Sequence, residues 1–167
     1  PRRVPGPRLM KPSSSKILPL RQLLTLRELW RWERRKVVFT NGVYDILHPG
    51  HVKLLEKSRS LGDVLILALN TDASARRLDK APGRPVNRLA DRAAVAAALA
   101  CVDVVVSFDE DTPAKLLAKL KPDVLVKGGD YKPAAVAGRE HAGKVVIIPL
   151  KKGHSTTGLI KRLQGKR

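Results

Sequence analysis

Two of the chain's four histidines fall in one tetrapeptide, His48-Pro49-Gly50-His51, at the end of "FTNGVYDILHPGH". Pro49 suits a first helical position, where its missing N–H costs nothing. Gly50 lets the backbone come close to a ligand. The amides of Gly50 and His51 are expected to point out of the helix start. Dipole and donor geometry together would make that an anion site. Two imidazoles beside it could hold a phosphoryl group as it gains charge in a transition state. Three readings compete: histidines satisfied within a turn, a metal site from Asp45, His48 and His51 at a three-residue period, and a phosphate site. The run crosses a loop rather than one helix face, which counts against a metal. Its place after a strand favours phosphate.

The elements that must position this turn follow a rhythm. Leu20, Leu23, Leu26 and Trp30 recur at helical spacing and predict a helix over 17–35, with Trp30 and Trp32 as packing residues. Strands are predicted at 36–40, 63–69, 102–108, 123–129 and 144–150. Helices are predicted at 49–61, 89–100, 111–121 and 155–164. Pro113 suits a first helical turn, and Ser155 or Thr156 a cap. Strands apolar throughout are buried on both faces, so the fold class is α/β: a doubly wound, five-stranded parallel sheet with helices on both faces. Ligands in such sheets sit beyond the carboxyl ends of the strands. That rim receives "TNGVYDILHPGH", "NTD", "KGGDY" and "KKGHSTT". There is no G-x-G-x-x-G after the first strand, no Walker phosphate loop and no C-x-x-C pair.

Length fits one domain, here 16–167, preceded by a flexible basic arm over 1–15. One cysteine, Cys101, excludes an internal disulfide and reads as a buried, inert thiol. No apolar run spans a membrane and no secretory h-region is present, so a cytoplasmic enzyme or binding protein is expected. The net charge of +18 sits at the ends: residues 1–36 carry eleven basic and two acidic groups, 151–167 six and none, 37–150 sixteen and thirteen. Such ends read as solvated tails, or as groups that touch polyanions or an anionic substrate. With 4% aromatic residues, the chain is poorly equipped to stack bases, so nucleic acid is not the expected partner.

His-Pro-Gly-His resembles the H-x-G-H signature of the cytidylyltransferase-like nucleotidyltransferases, which share a Rossmann-like sheet. "RPVN" (84–87), "DRAAV" (91–95), "DEDTP" (109–113), "PDVLVKGGDY" (122–131) and "STT" (155–157) extend the resemblance. Their order and spacing are similar to those of the adenylyltransferases that activate D-glycero-β-D-manno-heptose 1-phosphate. The resemblance covers about residues 16–164, and a free-standing transferase is expected, since no sugar-kinase domain precedes it here. It implies transfer of the nucleotide from ATP, with its Mg2+, to the sugar phosphate, releasing pyrophosphate and giving ADP-heptose for lipopolysaccharide. A homodimer is also implied.

Residue by residue, the resemblance gives His48 and His51 the charge-stabilising role and adds Lys127 to the catalytic set. Thr40, Asn41, Gly42, Val43 and Tyr44 would form the turn over the nucleotide and the acceptor. The family more often has Phe at position 44. Asp45 would orient that turn or approach the magnesium. Gly50, Asn70, Asp72 and Arg92 would lie against the nucleotide, Arg92 on its triphosphate. Lys127 and Asp130 would line the site, with Gly128 and Gly129 allowing close backbone approach. Ser155, Thr156 and Thr157 would open a second helical anion site. Arg76, Arg77 and Lys80 would contact phosphates from a loop one residue longer than usual. The 137–146 segment is shorter than the family's, and His141 and His154 carry no assigned role. A cytidylyltransferase for an alcohol phosphate such as glycerol 3-phosphate is the alternative within enzymes. A non-catalytic nucleic-acid binder acting through its basic ends is the alternative outside them.

Overall fold

The computed structural model describes residues 12–78, 83–149 and 156–163. The expected arm over 1–15 and the 78–83 loop therefore lie largely outside the described residues. A 3-10 turn at Ser13–Lys16 precedes α1, Leu20–Trp32. This helix is three residues shorter at each end than the spacing suggests, and both ends have a cause. Pro19 disfavours helical geometry at Leu18. Ile17 and Leu18 instead run extended along the sheet, with the Leu18 amide donating to the Val105 carbonyl at 2.9 Å. At the other end Arg34 is left-handed, with φ 56°. The Arg35 amide then reaches the Trp30 carbonyl and that of Arg34 the Arg31 carbonyl, a Schellman closure.

Five strands follow: β1, Val37–Gly42; β2, Val64–Asn70; β3, Val104–Phe108; β4, Val124–Gly128; and β5, Lys144–Ile148. All pair in parallel, in the order β3-β2-β1-β4-β5. Between them lie α2, Pro49–Arg59; α3, Asp72–Arg77; α4, Leu89–Ala97; and α5, Ala114–Leu120. The last helix, α6, spans Thr156–Leu163. The doubly wound sheet predicted from the apolar strands is present. Pro113 stands just before α5 as its cap rather than inside its first turn.

Alternation along the strands divides the core. Val37, Phe39, Ile66, Val104 and Val106 face Leu23 and Trp30 of α1 and Leu116, Leu117 and Leu120 of α5. Val38, Leu65, Leu67, Leu69, Val105 and Val126 face Leu54 and Leu55 of α2 and Ala93, Ala96 and Ala97 of α4. The alanine-rich run thus allows α4 to lie close to the sheet. Trp32 does not pack: it is 82% exposed, because two residues beyond buried Trp30 is the far side of a helix. Cys101 is half-buried, and burial pushes its thiol pKa up, so the thiolate needed for reactivity is disfavoured. No described helix is long and apolar enough to cross a membrane.

Two short 3-10 turns, Pro133–Ala135 and Arg139–His141, occupy the shortened segment before β5. Gly138 links them at φ 80°, and a Cβ there would meet the Leu117 side chain and lie 3.2 Å from Ala114 Cα. Gly138→Ala is therefore expected to destabilise the fold by about 2–4 kcal/mol, from overpacking plus left-handed strain. Gly83→Ala is the control: its φ is 75° but nothing lies within 4 Å of the added carbon, so only the strain of about 1–2 kcal/mol remains. Urea unfolding of the two variants should separate them in that order.

Candidate active site

Strand order reverses between β1 and β4, and the segments leaving these strands flank the crevice this creates. His48 is the extended residue that caps α2, with φ −145° and ψ 165°, and Pro49 is the first helical residue. His51 sits one turn on. The two imidazoles stack, with centroids 3.8 Å apart and planes 16° apart. Tyr44 lies against the second ring, centroid to centroid 4.9 Å at 44°. One part of the predicted anion site is different. The His51 amide does not point outward but donates to the His48 carbonyl at 2.9 Å, because the first turn of α2 is tight. The imidazoles, not a pair of first-turn amides, are the distinctive donors of this corner.

Around this corner lies a buried charged frame. Asp45, expected either to orient the turn or to approach the substrate phosphate or magnesium, is fully engaged by the 84–87 loop. It accepts from the amides of Val86 (3.0 Å) and Asn87 (2.9 Å) and from Arg84 Nε at 3.1 Å. Asn87 Nδ2 returns a bond to the Asp45 carbonyl. An anion so held fastens two loops together and is poorly suited to meet a phosphate. Arg92, assigned to the triphosphate, is also different. It is 2% exposed and donates to the carbonyls of Asn87 (3.1 Å), Val43 (2.7 Å) and Asn70 (2.9 Å) and to Asp72 Oδ1 at 2.6 Å. Its guanidinium ties the ends of β1 and β2 to α3 and the 84–87 loop, from beneath the rim.

Burial alone would raise the Asp45 carboxyl pKa. The Asn87 and Val86 amides and Arg84 outweigh it and hold the group below the usual carboxylate range. A depressed folded pKa contributes stability that is complete above the unfolded value, near about 4, and is lost as pH falls through the folded value. Asp45→Asn is expected to be less stable at neutral pH and to lack this share of the acid-induced loss. Urea unfolding from about pH 7 to about pH 3 would show a flatter profile for the variant than for the parent.

The remaining predicted residues divide. Thr40 and Asn41 belong to the strand, since β1 runs on to Gly42. Thr40 is buried, its hydroxyl donating to the Val126 carbonyl at 3.1 Å. Lys127, near the end of β4, faces Asn41 across the crevice, Nζ to Oδ1 3.5 Å, with Nζ 5.8 Å from the Tyr131 ring centre. Gly128 ends β4. Gly129 has φ 122° and donates to the Ile148 carbonyl at 3.0 Å, while Asp130 is exposed beside it. Thr156 is buried at the start of α6, its hydroxyl 3.5 Å from the Ile46 carbonyl, which sets that helix on the histidine loop. Asn70 is buried and donates to Ser74 Oγ at 2.9 Å. Gly50 is buried in the first turn of α2. Arg76 is exposed on α3. Arg77 turns to the acidic loop after β3, bonding Asp111 Oδ1 at 2.7 Å and the Asp109 carbonyl. Lys80, His154 and Ser155 lie outside the described residues, as does the side chain of Thr157.

Sequence reasoning quoted the motifs that hold Arg84, Asn87 and Tyr131 but gave these residues no role, and it missed α3. The signal for α3 was present: Thr71 caps it by accepting from the Ser74 amide at 3.1 Å. Its six residues are too few to show a period. Among the described residues no group of three or more His, Cys, Asp or Glu side chains could hold a metal ion.

The profile of the cytidylyltransferase-like family matches residues 39–157. The chain is 53% identical over 146 residues to the bifunctional protein HldE of Syntrophotalea carbinolica, covering 83% of this chain and 30% of that protein. Against the bifunctional protein HldE of Helicobacter hepaticus the identity is 51% over 150 residues, 90% of this chain and 30% of that protein. The chain thus spans about a third of the length of these relatives. Among solved structures, the lipopolysaccharide core biosynthesis protein of Thermoplasma volcanium superposes with TM-score 0.58 at 28% identity, covering 72% of this chain and 99% of that one. A pantoate-beta-alanine ligase from Francisella tularensis shares the fold at TM-score 0.54 and 17% identity, over 81% and 67% of the two chains.

Proposed function

The chain belongs to the cytidylyltransferase-like family, and from that premise we propose that it joins ATP to D-glycero-β-D-manno-heptose 1-phosphate, giving ADP-heptose and pyrophosphate. The observation that carries this reading is the stacked pair His48–His51 at the switch point, with Lys127 of β4 facing Asn41 of β1 there. The choice of sugar rests on the specific run "VKGGDY", on "STT" and on the identity to the HldE proteins.

The chemistry asks for alignment and charge stabilisation. An oxygen of the acceptor phosphate, already an anion, attacks the α-phosphorus of ATP from the side opposite pyrophosphate. The new P–O bond forms as the bond to the bridging β-phosphate oxygen breaks. No strong base is required. His48 and His51 hold the α-phosphoryl oxygens as negative charge gathers on them, and the Lys127 ammonium supplies a fixed positive charge from the neighbouring strand. Asp45 and Asp72 are both engaged by arginines, which fits magnesium carried in on the ATP phosphates rather than a protein cage. When bound, the ion offsets phosphate charge. A homodimer is part of the proposal, to be read by light scattering.

The test is pyrophosphate release with magnesium, pairing ATP or CTP with heptose 1-phosphate or glycerol 3-phosphate. Release with ATP and heptose 1-phosphate alone is expected. Release with CTP and glycerol 3-phosphate would keep the mechanism and overturn the substrate. Silence with every pair would overturn the reading.

A further inference from the structure

Tyr44 carries three features that the nucleotide-facing role assigned to this turn does not explain. Its backbone is left-handed, with φ 47°, a conformation that costs a bulky side chain about 1–3 kcal/mol and persists only where the surroundings impose it. Its ring is 6% exposed, sunk among Leu54, Leu55 and Leu67 on the α2 face of the sheet, not spread over the crevice. Its hydroxyl lies beside that of Thr40, which donates to the Val126 carbonyl of β4. The ring is also given room. A Cβ on Gly42 would stand 2.9 Å from Tyr44 Cε2 and 3.2 Å from Cδ2, so only glycine two residues earlier leaves the ring in place. Beyond Tyr44 the rings continue, His51 against it and His48 stacked on His51.

From this arrangement we infer that Tyr44 is a positioning residue: its buried ring, seated by Gly42, fixes the plane of His51 and through it that of His48. The left-handed turn at Tyr44 directs the ring inward, under the imidazoles. An imidazole has two torsions with broad minima about the second, and a half-buried pair at a loop-to-helix junction needs a wall to select one. The sheet supplies that wall through Tyr44. The inference rests on the reading of the histidines as the charge-stabilising pair for its kinetic consequence, but not for its structural one.

The experiment uses the full chain with its imidazoles labelled with 13C and 15N, comparing the parent with Tyr44→Leu and Tyr44→Phe. In Tyr44→Leu the ring signals of His48, the far ring of the stack, are expected to shift or broaden together with those of His51. The value of kcat should fall about 10–100-fold with KM for both substrates within about twofold, as for a misplacement of an ångström or less. Tyr44→Phe keeps the ring and its volume and is the variant certain to test the idea if Leu does not fold. It should hold the His48 signals near their parent positions and recover most of kcat. Unmoved His48 signals in Tyr44→Leu would overturn the inference. So would a raised KM for ATP with kcat intact, or a loss in Tyr44→Phe as large as in Tyr44→Leu, since each makes Tyr44 a substrate contact. The spectra need no substrate, so displaced signals in a chain silent with every substrate pair would uphold the positioning role and reject the proposed reaction alone.

Discussion

His51→Ala is expected to lower kcat by about 10²–10³ while the thermal midpoint stays close to that of the parent. The imidazole is half-buried at the surface of α2, so its loss leaves no large cavity. On the proposed mechanism, what is lost is a donor aimed at charge that develops only during transfer. A loss of this kind falls on kcat and kcat/KM together and spares ground-state binding. His48→Ala should behave alike. The double variant should cost much less than the product of the two, because rings stacked at 3.8 Å act as one unit. Steady-state kinetics with both substrates varied would show this. An effect confined to KM would make the pair a binding feature.

Arg92→Ala is expected to cost about 3–5 kcal/mol of stability, since one substitution breaks a part-buried ion pair and takes a buried donor from three carbonyls. In a chain of this length that corresponds to a fall of roughly 6–20 °C in Tm. Lysine should not rescue it: an ammonium cannot reproduce the planar fork that reaches Val43, Asn70, Asn87 and Asp72 together. Scanning calorimetry reads this directly. An arginine that touched the triphosphate would give the opposite pattern, a raised KM for ATP in a protein of unchanged stability.

That contrast marks the boundary of what the amino-acid order makes legible. Strands such as "VLILAL" (64–69) announce burial on both faces, and with it the parallel sheet, because every residue in that run is apolar. His-Pro-Gly-His announces the turn because proline and glycine have few other uses there. Arg92 and Asp45 are a different case. An arginine bound for a phosphate and one bound for backbone carbonyls are the same letter, and only the meeting of four distant segments decides between them. Trp30 and Trp32 show the same limit on one helix: both are apolar, and the helical angle between them decides which is buried. Gly42 and Tyr44 show it within one loop, since the need for a missing Cβ appears only when the ring is in place.

The central claim is direct transfer, with the histidines stabilising charge and never bonding to phosphorus. The most direct measurement is the stereochemical course at the α-phosphorus. ATP bearing sulfur at that atom in a single configuration is turned over with heptose 1-phosphate and magnesium, and the product's configuration is read by 31P NMR. A single in-line displacement predicts inversion. Retention would mean two displacements through a nucleotidyl-enzyme intermediate, with His48 or His51 as nucleophile, and would contradict the account.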